Sequence, residues 1–262
     1  MKQTVFRIIS LVLLVLAGFL LLVPHIWIGW LCWGLGLALT PLGGRLFWRH
    51  LVLIFIPIAI LGLIPINTDL SFEHITIMGS ALTIAVIGPY LISRFIYKEN
   101  IIKYPLTNGR WQWWHYGYIA LTALLAYLIL PVWLLHTGDY LNWSVPTGLG
   151  GLTTLFLGTN GLGIWDELFF VLTCLTLLRL YMPFIWANLI QATLWTAFLF
   201  DLGFQAWMPL LIFPFALLQG IVYKRTHSLL YLLAIHLTLD LVLYLALINA
   251  HNPQLLNIFI AH

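Results

Sequence analysis

Four side chains capable of acid–base chemistry lie in the most apolar parts of this chain. Asp166 and Glu167 are adjacent, and His236 and Asp240 follow about 70 residues further on, four positions apart. An ionisable group in lipid costs several kcal/mol unless it is paired or faces water. A buried carboxylate can accept a proton from water, and an imidazole can donate to a developing oxyanion. We therefore take these four residues as the candidate catalytic site.

The same four residues fit two other roles. Carboxylates and histidines inside membrane helices also form proton or ion relays in transporters. Alternatively, the four groups satisfy one another and fix the register of packed helices. The residue types alone leave catalysis, transport and structure open.

A metal ion has few ligands available in this set. A catalytic zinc takes three protein ligands, often histidines. The four residues include one histidine, and the chain has no His-Glu-x-x-His motif. We therefore expect neither a metal nor another cofactor.

The elements that hold these residues are predicted to be transmembrane helices. Of 262 residues, 62% are hydrophobic and only 7% are charged, whereas soluble domains carry about 25% charged residues. The long apolar runs differ from the short alternating segments of a β-barrel. We predict an all-α fold, a polytopic transmembrane helix bundle of eight or nine spans. Basic residues are scattered between the spans, so nucleic acid is not an expected partner.

The loops between the predicted spans divide the basic residues unequally. All eleven Lys and Arg residues fall on the side of the N-terminus. Positive charge marks the cytoplasmic side, so we predict a cytoplasmic N-terminus and an outer C-terminal tail. One span contains Gly158, Gly161 and Gly163 and has an alternative interpretation, a re-entrant piece followed by a helix from about residue 160. The predicted spans are 5–23, 26–43, 50–66, 72–96, 111–135, 150–178, 183–200, 207–223 and 228–248.

These spans bring the candidate residues to a common depth. At a rise of 1.5 Å per residue, Asp166 lies about 20 Å from the cytoplasmic edge, His236 about 16 Å and Asp240 about 22 Å. Residues four apart share one face of a helix. The acidic pair and the His/Asp pair are therefore predicted to meet near the middle of the membrane.

Three stretches carry a resemblance to a known family: DELFFV at 166–171, QGIVYKRT at 219–226 and H-x-x-x-D at 236–240. In order and spacing they resemble the CPBP family of intramembrane proteases, which includes CAAX prenyl endopeptidases and Abi-like bacteriocin-processing or immunity proteins. The family pattern is Glu-Glu-x-x-x-Arg, then Phe-x-x-x-His, then His-x-x-x-Asn or Asp. This chain departs from it twice, with Val171 at the arginine and Leu199 at the second-motif histidine.

The resemblance implies a role for each candidate residue. Asp166 takes the place of the carboxylate that activates water, and Glu167 supports or replaces it. His236 is the implied oxyanion donor, while Asp240 can donate only when it is protonated. The implied organisation is N-terminal transmembrane helices in 1–149, a CPBP-like core in 150–248 and a short tail in 249–262.

The leading hypothesis is an endopeptidase that hydrolyses a peptide bond of a membrane-anchored or lipidated substrate inside the membrane. Its partners are then membrane lipids and a membrane-anchored protein or peptide. The alternative is a catalytically degenerate family member that binds a membrane partner through the same cavity, and a transporter is the third. The expected location is the inner (plasma) membrane of a bacterium.

Overall fold

The chain folds as a bundle of helices. The structure, a computed structural model, describes residues 2–107 and 109–260, and these form nine helices and no strand. Each predicted span corresponds to one helix, which confirms the all-α prediction. The helices are α1 Lys2–Leu22, α2 Ile28–Leu39, α3 Arg45–Leu63, α4 Phe72–Ile96, α5 Trp113–Thr137, α6 Leu149–Leu178, α7 Phe184–Leu202, α8 Pro209–Thr226 and α9 Leu229–His251.

Six of these helices are long and apolar enough to cross a membrane, counted within the described residues: α1, α3, α4, α5, α6 and α9. The protein is therefore an integral membrane protein. The other three helices differ in length or polarity from the six. Helix α2 has only 12 residues. Helices α7 and α8 have 19 and 18 residues and carry the buried amides of Asn188, Gln191 and Gln219.

Hydrogen bonds between loops define the two ends of the bundle. At one end, His25 of the α1–α2 connection lies 2.9 Å from Asp201 in the last turn of α7, so this connection and the end of α7 lie together. At the other end, Leu229 N donates to Pro105 O at 2.8 Å, which joins the α8–α9 and α4–α5 connections. Successive helices thus run in alternating directions. We call the end that holds the N-terminus and all Lys and Arg residues the basic end.

Helix α6 is the most buried of the six spans, with 72% of its most apolar stretch inside the protein. It is continuous over 30 residues and does not break at its glycines, so the re-entrant alternative is wrong. Glycine is tolerated in membrane helices where neighbouring helices pack closely. The helix is α-helical to Asp166 and continues as a π-helix over Glu167–Leu175.

The C-terminal tail packs against the bundle. Helix α9 extends to His251, three residues beyond the predicted span. Beyond it, the Tyr127 hydroxyl of α5 donates to Ile258 O at 2.7 Å, and the ring of Phe259 lies 5.0 Å from that of Tyr127. Residues 261 and 262 of the predicted tail lie outside the described residues.

Candidate active site

The four candidate residues come together between α6 and α9. Asp166, Glu167, His236 and Asp240 are each more than nine-tenths buried. His236 Nδ1 lies 2.9 Å from Glu167 Oε1, at hydrogen-bond distance. Its other nitrogen, Nε2, lies 3.9 Å from Asp166 Oδ2 and 3.8 Å from Asp240 Oδ1. One imidazole is therefore surrounded by three carboxyl groups.

The adjacent acids Asp166 and Glu167 have different surroundings. Asp166 lines a cavity beside the cluster, together with His236 and Asp240. Glu167 is fully buried and does not line that cavity. It contacts α8, where Gln219 Nε2 donates to Glu167 Oε1 at 2.6 Å. Because a carboxylate oxygen accepts, His236 Nδ1 donates to the same atom, and Nε2 is left on the cavity side.

The cavity is an apolar chamber with a polar wall. Its volume is about 340 Å³, and it lies between α5, α6, α7, α8 and α9. Helices α5 and α8 make almost no direct contact, and leucines on both of them are exposed beside the cavity. The chamber is thus accessible from the side of the bundle that faces lipid. Its apolar lining includes Leu121, Leu125, Leu130, Leu199, Leu211, Phe215, Leu218 and Leu243.

Two aromatic rings hold the imidazole of His236. Trp195 of α7 stacks on it, with ring centroids 5.5 Å apart and an interplanar angle of 29°. Phe215 of α8 meets it edge to face at 5.5 Å and 86°. With Glu167 on Nδ1, these contacts fix both the plane and the rotation of the ring.

Close approach of α6 to α9 depends on a glycine. A Cβ added at Gly163 would overlap Asp240 Oδ2 and would lie 3.1 Å from His236 Cδ2. Small residues let membrane helices pack closely. Gly163 therefore allows the carboxylate of Asp240 and the ring of His236 to reach α6.

Part of the chain is similar to a known protein family. Residues 148–242 match the family model of Rce1-like type II CAAX prenyl endopeptidases. This region, called the Rce1-like region below, is similar to that family. It spans just over a third of the chain and contains all four candidate residues. No curated protein and no solved structure matches the chain.

The match to this family model confirms the predicted resemblance to the CPBP family. It indicates a protein of the intramembrane CAAX protease type. It begins just before α6 and ends within α9. The division of the chain at residues 149 and 248 stays a prediction, as do the catalytic roles of the four residues.

The Rce1-like region is apolar at both positions where the motifs depart from the family pattern. Leu199 of α7 lines the cavity and is 9% exposed, so its side chain occupies cavity wall where a histidine was expected. Val171 lies in the π-helical part of α6 and is fully buried among apolar side chains. Neither position supplies a proton donor to the site.

Gln219 is a polar contact of the cluster that sequence reasoning missed. It lies at the start of the QGIVYKRT stretch, which was used only for the resemblance. The available indication was an amide inside an apolar helix, since such groups tend to face helix partners in lipid. The prediction that no metal binds remains a prediction. Across residues 2–107 and 109–260, no group of three or more His, Cys, Asp or Glu side chains has an arrangement suited to a metal ion.

Proposed function

We propose that the protein is an intramembrane endopeptidase that hydrolyses a peptide bond of a membrane-anchored or lipidated substrate. One observation carries the proposal. Asp166 and Asp240 flank His236 Nε2 in a cavity that is open toward lipid. This arrangement offers a proton acceptor and proton donors to a carbonyl group that enters from the membrane.

The first step is attack by water. The separations of 3.8 and 3.9 Å around Nε2 exceed a direct hydrogen bond, so neither carboxyl group occupies this nitrogen. Asp166 Oδ1 and Asp240 Oδ2 are buried and have no hydrogen-bond partner within the described part of the chain. In our proposal, Asp166 accepts a proton from this water while the water oxygen bonds to the carbonyl carbon.

The second step is collapse of the tetrahedral intermediate. His236 donates from Nε2 to the oxyanion, while its Nδ1–H remains on Glu167. Asp240 donates as well when it is protonated. The C–N bond then breaks, and the proton held by Asp166 passes to the leaving nitrogen. The products are a carboxylic acid and an amine, so atoms and protons balance.

The charge of the cluster supports this division of roles. Three carboxylates in a low-dielectric interior repel one another, and each isolated charge there is costly. Shared protons and one imidazolium bring the net charge near zero. In this proposed state Glu167 and Asp166 are ionised, so that Asp166 can act as base, and Asp240 is protonated and can donate.

The cavity fits a substrate that is already held in the membrane. Its lining is predominantly apolar, and its open side lies between α5 and α8. A lipid-anchored or transmembrane segment can reach this opening without leaving the bilayer. The proposed partners are therefore membrane lipids and a membrane-anchored protein or peptide.

We also propose that the basic end faces the cytoplasm. All eleven Lys and Arg residues lie at this end, and positive charge near span ends favours the cytoplasmic side. A cysteine introduced at exposed Lys2 is expected to resist membrane-impermeant thiol reagents in intact cells, whereas one at exposed Leu141 of the opposite end is expected to react. The bacterial inner membrane stays a prediction.

The test of the proposed function uses purified protein in lipid vesicles. The probe is a quenched fluorescent peptide with a prenylated CAAX terminus, supplemented by comparison of membrane-protein termini from cells that express wild type or Asp166→Asn. Wild type is expected to cleave and the variant is not. If wild type and Asp166→Asn give identical probe signals and identical termini, the endopeptidase assignment is wrong.

A second candidate function is favoured by Leu199. Because an apolar side chain lies where the family pattern has a histidine, the cavity also suits a degenerate protein that binds a membrane partner without cleaving it. In that case Asp166→Asn keeps a co-purifying partner, whereas Leu199→Trp, which fills the cavity, loses it. Cleavage by wild type but not by Asp166→Asn would exclude this candidate.

A further inference from the structure

We propose that Gln219 is a positioning residue that acts through Glu167 to orient His236. The inference rests on the proposed endopeptidase function and extends it to α8, outside the residues that line the cavity. Gln219 does not touch the cavity and is fully buried. Burial of a primary amide costs free energy unless the amide makes hydrogen bonds.

The hydrogen bonds form a short chain from α8 to α9. Gln219 Nε2 donates to Glu167 Oε1 at 2.6 Å, and His236 Nδ1 meets the same oxygen at 2.9 Å. With two donors on one oxygen, the carboxylate is held against rotation about its terminal bond. This chain of hydrogen bonds therefore keeps the hydrogen of His236 on Nδ1, so that Nε2 faces Asp166 and Asp240.

Close packing of α7 against α8 fixes the position of Gln219. A Cβ added at Gly220 would overlap Asn188 Oδ1, so the two helices are in near contact beside Gln219. Asn188 Nδ2 donates to Leu217 O at 2.9 Å, and Gln191 Nε2 donates to Ala216 O at 3.0 Å. Two side chains of α7 thus hold the backbone just before Gln219. They fix the position from which the Gln219 amide contacts Glu167.

Loss of the Gln219 amide is expected to slow the chemical step without weakening substrate binding. In the variant Gln219→Leu, Glu167 keeps one donor and can rotate, so Nε2 of His236 spends less time in the productive position. Loss of a hydrogen-bond partner behind a metal-binding histidine typically costs about 10- to 100-fold in activity, and we take the same scale for His236. We expect a fall of that size in kcat with KM unchanged, because Gln219 does not line the cavity.

The matched control is Gln191→Leu. Gln191 is an equally buried glutamine that bonds to Asn188 and Ala216 but does not contact Glu167. Each variant removes one buried amide, from α8 in Gln219→Leu and from α7 in Gln191→Leu, and both are expected to lower the melting temperature similarly. Gln191→Leu is expected to lower kcat much less than Gln219→Leu does, because it leaves both hydrogen-bond donors on Glu167 Oε1 in place. An equal loss of kcat in both variants would mean general loosening of α7 and α8 and would overturn the proposal.

A second measurement tests the positioning without activity. Protein labelled with ¹⁵N-histidine is compared by NMR, and the His236 resonances are those absent from His236→Gln. We expect a hydrogen-bonded Nδ1–H in wild type and in Gln191→Leu, and a shifted or exchanging one in Gln219→Leu. An unchanged His236 resonance in Gln219→Leu overturns the inference. An inactive wild type with the expected resonances overturns the endopeptidase proposal alone.

Discussion

Two histidines, each beside a glutamate, lie in different regions of this molecule. His236 is at the centre of the Rce1-like region, and His50 is at the basic end of α3. His50 Nδ1 meets the Tyr181 hydroxyl at 2.5 Å, and its Nε2 meets Glu99 Oε2 at 2.6 Å. Both nitrogens of His50 are therefore occupied, whereas only Nδ1 of His236 has a hydrogen-bond partner among the described residues.

The difference separates a structural contact from a reactive one. His50 joins α3 to the segments that follow α4 and α6, and Arg49 adds a 3.4 Å contact to Glu99. No hydrogen-bonding capacity is left over for a substrate. At His236 the second nitrogen faces carboxyl groups across a cavity. A histidine with a carboxylate is thus not sufficient evidence of an active site, and the free nitrogen is the informative feature.

The largest effect is expected at Asp166. Asp166→Asn keeps the size of the side chain but removes the proton acceptor, so cleavage should fall at least about 100-fold, as for other single catalytic groups. The matched change at the other histidine, Glu99→Gln, should leave kcat unchanged. Initial rates in vesicles measure both. A comparable loss of rate in Glu99→Gln would remove the distinction between the two regions.

A smaller effect is expected at the contact between α6 and α9. Gly163→Ala places a methyl group against Asp240 and should cost about 1–3 kcal/mol through overpacking, with a parallel loss of cleavage. The control is Gly161→Ala, since a Cβ at Gly161 meets nothing within 4 Å. Thermal unfolding in detergent measures the stability of each. Equal stability of the two variants would contradict the described packing.

Replacement of His50 should affect stability but not catalysis. In His50→Ala, the half-buried Glu99 and Tyr181 lose a hydrogen-bond partner, and a typical hydrogen bond contributes about 0.5–1.5 kcal/mol. We expect a lower melting temperature with kcat unchanged for the folded protein. His236→Ala should give the opposite pattern, with cleavage lost. If His50→Ala abolishes cleavage in fully folded protein, the basic-end histidine has a role that its geometry does not explain.

The smallest effect concerns Tyr181, which lies in the connection after α6. Burial raises the pKa of its hydroxyl from 10.0 to about 12, while Arg7 lowers it and Glu99 raises it further. Because the folded-state pKa is the higher one, the phenol's contribution to stability is complete below pH 10 and is lost as the pH rises toward 12. Tyr181→Phe should lack this alkaline loss. The measurement is the difference in melting temperature between wild type and variant across that pH window, and a constant difference would contradict the assignment.

Much of the fold follows from the sequence, because long apolar runs leave helices as the principal way to satisfy backbone groups in lipid. The shared depth of Asp166, His236 and Asp240 followed from the rise of a helix. The separate surroundings of Asp166 and Glu167 did not, because adjacent positions on a helix point in different directions and the sequence does not show which neighbouring helix each side chain meets. The contacts of Gln219 and Trp195 join distant segments, and no local pattern specifies which helix face they meet.

The π-helical segment of α6 has a consequence for comparison with relatives. Its i→i+5 bonding accommodates more residues in a turn than an α-helix does. A homologue with a regular helix at this place would align to this chain with a gap somewhere in 167–175. The counterpart of the motif arginine then shifts by one position, to Phe170 or Leu172, and both of these are apolar. Mutations in this stretch are best compared with those in homologues by the three-dimensional position of each residue rather than by its place in a sequence alignment.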